Sequence, residues 1–261
     1  MTKRKFTTIE EVENDAVLLR QRAAEIGIDT WYERAEAQKN HCKFGEDGIC
    51  CRICSMGPCR VTPKSPKGIC GADAHTIAGR NYLRFATGGS ATHADHGREM
   101  CYTLAEAKPD GIYQVKDPDK CIRIAKEFGI ETEGRDIYDI AHDLAYKGVC
   151  EYGKPFGYQT WLNRANKERL EVWEKMNIMP RAVDRECTEA MHMTHMGVMA
   201  DPEALVKQAL RVGMADGWGG SMKMCIRDRI ICMMPMPSVC WTGRAAASAT
   251  FRAGIMEVCP R

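Results

Sequence analysis

The chain has 261 residues, with 37 Lys and Arg against 35 Asp and Glu and a formal net charge of +2. Bases are spread among acids, with no basic stripe interleaved with aromatics, which argues against a nucleic-acid partner. The length allows one or two domains with a real interior. No apolar run approaches a membrane span, and the polar start from Met1 to Glu13 lacks the apolar core of a signal peptide.

The first predicted element is a helix opened by a capping box, Thr8-x-x-Glu11. Ile9, Val12, Ala16, Leu19, Ala23 and Ile26 then recur at spacings of three and four until Gly27 ends it. A second helical pattern, from about Thr30, carries Trp31, Ala35 and Gln38 into a cysteine-rich loop.

That loop places six cysteines within 29 residues, as Cys42-x7-Cys50-Cys51-x2-Cys54-x4-Cys59-x10-Cys70. Thiolates bunched this closely are soft ligands, and in a chain with no export signal they point to metal. Disulfides are disfavoured, because they dominate in oxidising compartments and in chains too short to build a core. Zinc is disfavoured because Cys59 and Cys70 do not form a second closely spaced pair to match Cys51-x2-Cys54. A four-iron cluster fits better, with three cysteines close together and a fourth farther along, as in Cys51, Cys54, Cys59 and Cys70. The interleaved glycines and prolines allow tight turns and free amide groups for the sulfides. Two cysteines remain. A twofold axis could join Cys42 and Cys50 with the same pair from another copy. By ligand counting alone, the simpler reading is a buried Cys42 and a spare Cys50.

Beyond the loop, Asp73 caps a helix expected to run to Ala86 and to close at Gly88-Gly89. A further helix is expected from the N-cap Ser90 through Leu104 and Ala107. His93 and His96 lie three apart on one face of it, a spacing suited to passing protons as well as to plain solvation. Later helices are predicted over 117–128, 135–146, 160–176, 181–196 and 201–215. The last opens on Asp201-Pro202-Glu203, with cap, proline and acid in order. The fold class is mostly α. His192 and His195 read as helix-packing residues, and Cys101, Cys121, Cys150 and Cys187 as small apolar core residues.

The segment His41-Cys42-Lys43-Phe44-Gly45, with Gly48-Ile49-Cys50-Cys51-Arg52-Ile53-Cys54-Ser55-Met56-Gly57-Pro58-Cys59-Arg60, resembles the anaerobic nickel–iron carbon monoxide dehydrogenases. The likeness continues through Lys67-Gly68-Ile69-Cys70-Gly71-Ala72-Asp73, Thr76-Ile77-Ala78-Gly79-Arg80-Asn81 and His93-Ala94-Asp95-His96-Gly97-Arg98-Glu99. It ends on Asp216-Gly217-Trp218-Gly219-Gly220-Ser221-Met222, spanning roughly residues 30–222. The resemblance implies that Cys51, Cys54, Cys59 and Cys70 hold a 4Fe–4S relay cluster within one subunit. It implies that Cys42 and Cys50 contribute to a 4Fe–4S cluster shared across a homodimer. It also implies that His93 and His96 begin a proton path, whose further histidine positions read Glu99 and Tyr102 here.

In that family carbon monoxide and water become carbon dioxide, two protons and two electrons at a nickel–iron–sulfur centre, and the electrons leave to a ferredoxin-like acceptor. The nickel ligands are expected beyond the point where the likeness stops. The chain is therefore expected to be a fragment truncated before the family's α/β domains, inactive alone, from an anaerobic prokaryotic cytoplasm. Its subtype is similar to the form that partners acetyl-CoA synthase. Residues 1–222 are expected to form a helical iron–sulfur domain with the cluster loop at 42–70. Residues 223–261 lack helical period and caps, and Met224 to Arg229 resembles translated sequencing-adapter read-through. That tail is expected to be frameshifted or chimeric and disordered, so Cys225, Cys232, Cys240 and Cys259 are not counted as ligands. A stand-alone iron–sulfur electron-transfer module and a zinc-stabilised interaction domain are the alternatives.

Overall fold

The computed structural model describes residues 14–227 and 231–233. The chain divides into two compact units, Met1–Asp47 and Gly48–Arg261. In the first, α1 (Asn14–Glu25) stops where the sequence placed its end. Gly27 takes φ +72° and the Ile28 N–H donates to the Ala23 carbonyl at 2.8 Å, a left-handed cap that glycine favours. The capping box expected at Thr8 lies outside the described residues. α2 (Trp31–Ala37) begins after Thr30, whose backbone N–H donates to the Glu33 carboxylate at 3.0 Å. Hydrogen bonds from Thr30, and then from Arg20, hold the Glu33 carboxyl down at about 2. α3 (Lys43–Glu46) is a single turn with Cys42 at its N-cap.

In chain order the second unit contains β1 (Cys50–Cys51), β2 (Cys59–Arg60), α4 (Ala74–Ala105), β3 (Tyr113–Val115), α5 (Pro118–Glu127), α6 (Ile137–Gly153), α7 (Lys167–Lys175), α8 (Val183–Met193), α9 (Pro202–Arg227) and β4 (Ile231–Met233). It is mostly α, as expected. The strands form only two two-stranded antiparallel ribbons, β1 with β2 and β3 with β4.

The long helix α4 corrects the sequence reading. Two helices were expected, broken at Gly88-Gly89, but α4 runs through both glycines for 32 residues. Each glycine costs a helix interior about 1 kcal/mol relative to alanine. Burial along α4 outweighs that cost. Leu83 packs with Ala190 of α8 and with Leu205, Ala209 and Val212 of α9, and a fully buried leucine contributes roughly 1.5–3 kcal/mol. Farther along, Cys101 and Leu104 join Ile124 of α5 and Ile140 and Leu144 of α6, all fully buried or within 1% of it. Ser90, expected as an N-cap, is instead a buried mid-helix residue.

The N-caps at Asp73, Asp117 and Asp136 form as side-chain acceptors for the backbone N–H of Thr76, Lys120 and Tyr138. The helix expected over 160–176 divides. Thr160–Arg164 is a 3-10 turn, and Asn166 accepts from the Arg169 N–H at 3.0 Å to start α7 afresh. A side chain that offers the backbone such a partner competes with continuous helix. Thr160 is also held by Glu151, its N–H at 2.9 Å and its hydroxyl at 2.7 Å from the carboxylate.

α9 passes Met222 and ends at Arg227, and residues 231–233 pair with β3 in the register Gln114↔Cys232. The rest of the 223–261 segment lies outside the described residues. Cys150, read as an unpaired core residue, is disulfide-bonded.

Candidate metal centre

The cysteine loop is a short ribbon followed by a glycine-turned return to α4. β1 and β2 pair Cys50 with Arg60 and Cys51 with Cys59. Side chains alternate across a strand, so the adjacent Cys50 and Cys51 face opposite ways and only Cys51 lines the pocket that the loop encloses. At the turn between the strands, a side chain on Gly57 would stand 3.1 Å from the Cys51 carbonyl and 3.2 Å from the Cys59 nitrogen. Only glycine lets the backbone fold that closely.

The return to α4 is set by Gly68 and Gly71. The Gly68 N–H donates to the Ala72 carbonyl at 2.8 Å and the Gly71 N–H to the Gly68 carbonyl at 2.9 Å. Val61, Ala72 and Ile77 form a small apolar floor. Asn81, two turns along α4, donates from Nδ2 to the carbonyls of Gly48 at 2.9 Å and Cys50 at 3.2 Å. The helix thus pins the start of the ribbon.

Cys51, Cys54, Cys59 and Cys70 all line this one pocket, with Ile53, Ile69, Met196 and Arg80 among its walls. Backbone N–H groups are already directed at sulfur. That of Ile69 donates to Cys59 Sγ at 3.5 Å, and the backbones of Ala72 and Gly197 favour the Cys70 thiolate. Arg80 Nη1 donates to Cys70 Sγ at 3.5 Å. This bond to Arg80 holds the Cys70 thiol below its ordinary range, against the opposing effect of burial. The thiolate is the ligand form of cysteine, so the donor set suits a thiolate-bound, anionic iron–sulfur core.

The other predicted residues are placed as follows. Cys42 is exposed at the start of α3 in the first unit. Cys50 is half-buried in β1. His93 and His96 share α4 and both are exposed. His93 Nδ1 stands 3.0 and 3.1 Å from the two carboxylate oxygens of Asp216 on α9. Cys101, Cys121 and Cys187 are free thiols in or against the apolar core. Sequence reasoning missed Arg80, Asn81 and Asp216 as site residues. Arg80 and Asn81 sit within the Thr76-Ile77-Ala78-Gly79-Arg80-Asn81 motif, but nothing local marks a buried arginine. Asp216 reaches His93 across 123 positions, which no local pattern reports.

Fold and site together define a mostly helical protein with a pocket lined by four cysteines at the N-terminus of its longest described helix. The chain belongs to the Prismane/CO dehydrogenase family, whose model matches residues 49–243. It is 41% identical over 217 residues to carbon monoxide dehydrogenase 1 of Methanosarcina acetivorans, covering 81% of this chain and 34% of that protein. It is 36% identical to the carbon monoxide dehydrogenase/acetyl-CoA synthase subunit beta of Moorella thermoacetica, covering 81% and 32%. Among solved structures, Ni-free carbon monoxide dehydrogenase from Thermococcus sp. AM4 superposes with a TM-score of 0.75 at 41% identity, covering 84% of this chain and 36% of that one. The chain spans about a third of the length of the curated relatives it matches.

Proposed function

We propose that this chain carries the electron relay and the start of the proton outlet of an anaerobic nickel–iron carbon monoxide dehydrogenase. The whole protein converts carbon monoxide and water to carbon dioxide, two protons and two electrons, and the nickel-site chemistry is assigned to parts beyond this chain. The observation that carries the reading is the single pocket lined by Cys51, Cys54, Cys59 and Cys70 in a chain of this family. These four are assigned as ligands of one 4Fe–4S cluster. When bound, such a cluster takes up and passes on single electrons.

The chain's own residues prepare that site. The turns at Gly57, Gly68 and Gly71 bring the sulfurs around one space, and the amide of Ile69 hydrogen-bonds to Cys59. Among the described residues no three His, Cys, Asp or Glu groups are gathered tightly enough to hold a single metal ion.

Cys42 and Cys50 are assigned to a second 4Fe–4S cluster held jointly by two copies of the chain. His93 and His96 are assigned as the start of a proton outlet. Asp216 accepts a hydrogen bond from His93 Nδ1, which leaves Nε2 to take and release a proton. A homodimer, a ferredoxin-like acceptor, an acetyl-CoA synthase partner and an anaerobic cytoplasm follow from the same reading. Among the described residues no helix is long and apolar enough to cross a membrane.

Anaerobic purification tests the reading. A brown protein with broad visible absorbance and about four or more irons per chain is expected. A colourless protein with stoichiometric zinc overturns it.

A further inference from the structure

Arg80 lies on α4, seven residues past the Asp73 cap, with 2% of its surface exposed. It lines the pocket of the four cysteines. Nη1 donates to Cys70 Sγ at 3.5 Å, and Nη2 donates to the Met199 carbonyl at 2.6 Å. Nε is buried and has no hydrogen-bond partner. Among the described residues no carboxylate pairs with this guanidinium. The half-buried Arg181, by contrast, is bound to Glu186 and Glu189 at 2.7 and 2.5 Å. Burying an arginine beside a sulfur with no carboxylate is costly unless the sulfur side supplies negative charge. The Met199 carbonyl fixes the direction of the side chain from 119 positions away, so the orientation is built rather than incidental.

We propose that Arg80 is a fixed positive charge and N–H donor that raises the reduction potential of the cluster held by Cys51, Cys54, Cys59 and Cys70. The inference rests on the cluster assignment made above. One added electron makes a thiolate-bound cluster more negative by one charge. A guanidinium held beside it in a low-dielectric wall favours that reduced form, and hydrogen bonds to ligand sulfur act in the same direction. Arg80 is thus a positioning and tuning residue and does not itself carry the electron.

The test loads the full chain with iron and sulfide anaerobically, counts iron in each variant, and reads the cluster midpoint by dithionite titration followed by electron paramagnetic resonance. Arg80→Gln and Arg80→Met are expected to shift the midpoint to lower potential at unchanged iron. Arg80→Lys, which keeps the charge, is expected to retain most of the original value. Equal midpoints in the original chain and both neutral variants, at equal iron, overturn the proposal and leave the cluster assignment standing. No iron bound through the four cysteines in the unaltered chain overturns the assignment, and the inference with it. If the neutral variants lose iron, pulsed resonance on reduced protein labelled with 15N in arginine decides. A nitrogen coupling that disappears in Arg80→Lys supports the proposal, and no coupling in the unaltered chain overturns it.

Discussion

His93 on α4 and Asp216 on α9 meet with the imidazole Nδ1 3.0 Å from the carboxylate. A carboxylate only accepts, so the neutral ring must carry its proton on Nδ1. Nitrogen-resolved NMR of the histidine side chains is expected to show His93 as the Nδ1–H tautomer. Asp216→Ala is expected to shift it toward Nε2–H. An unchanged tautomer in that variant means the contact does not form in solution.

Gly97 is where α6 approaches α4. A side chain there would overlap the hydroxyl end of the buried Tyr152. Gly97→Ala is expected to cost about 1–3 kcal/mol, the usual range for overpacking, read as a lowered urea midpoint. Tyr152→Phe in the same chain removes the nearest atom and is expected to recover part of the loss. Independent, additive losses would mean the two residues do not touch.

Burial pushes the Cys101 thiol up from its ordinary 9.0 to about 12. The folded chain therefore holds this proton where the unfolded chain releases it, and stability falls as pH rises from about 9 toward 12. Below about 9 the contribution is complete. Cys101→Ala is expected to flatten the alkaline side of the stability profile measured by urea unfolding. An unchanged slope contradicts the assignment to Cys101.

Glu186 is fully buried, and its carboxylate accepts from Arg181 Nε at 2.7 Å and Gln208 Nε2 at 2.9 Å. Removing Glu186 takes away one of the two carboxylates that hold Arg181 and the carboxylate acceptor of Gln208, at a cost of about 1–3 kcal/mol. Glu186→Ala is expected to show a loss of that size in equilibrium unfolding, and Glu186→Gln a smaller one. A loss under 1 kcal/mol would show that water reaches the pair, because only exposed pairs are worth so little.

The helical class and most helix starts were legible because aspartates at 73, 117, 136 and 201 announce caps locally. So was the shared pocket of Cys51, Cys54, Cys59 and Cys70, since these four lie close in sequence and the glycines that shape the loop stand between them. What was not legible depends on contacts between distant positions. Gly88-Gly89 reads as a stop until α4 is seen to be buried on both sides of it, at Leu83 and at Ala94, Cys101 and Leu104. The break at Asn166 was hidden because helical periodicity on both sides outweighed one side chain's hydrogen bond. Arg80 and Asp216 gain meaning only from Met199 and His93, each more than 100 residues away. The Cys50-Cys51 doublet was ambiguous as a string, whereas strand alternation explains why one of the two faces the pocket.

Electron paramagnetic resonance of the reduced chain, loaded anaerobically and paired with an iron count across single serine replacements, goes to the centre of this account. Serine at 51, 54, 59 or 70 should each abolish or alter the same signal with loss of up to about four irons, while Cys187→Ser should leave both intact. Four replacements that all keep the original signal and iron would show that these sulfurs do not grip a common core.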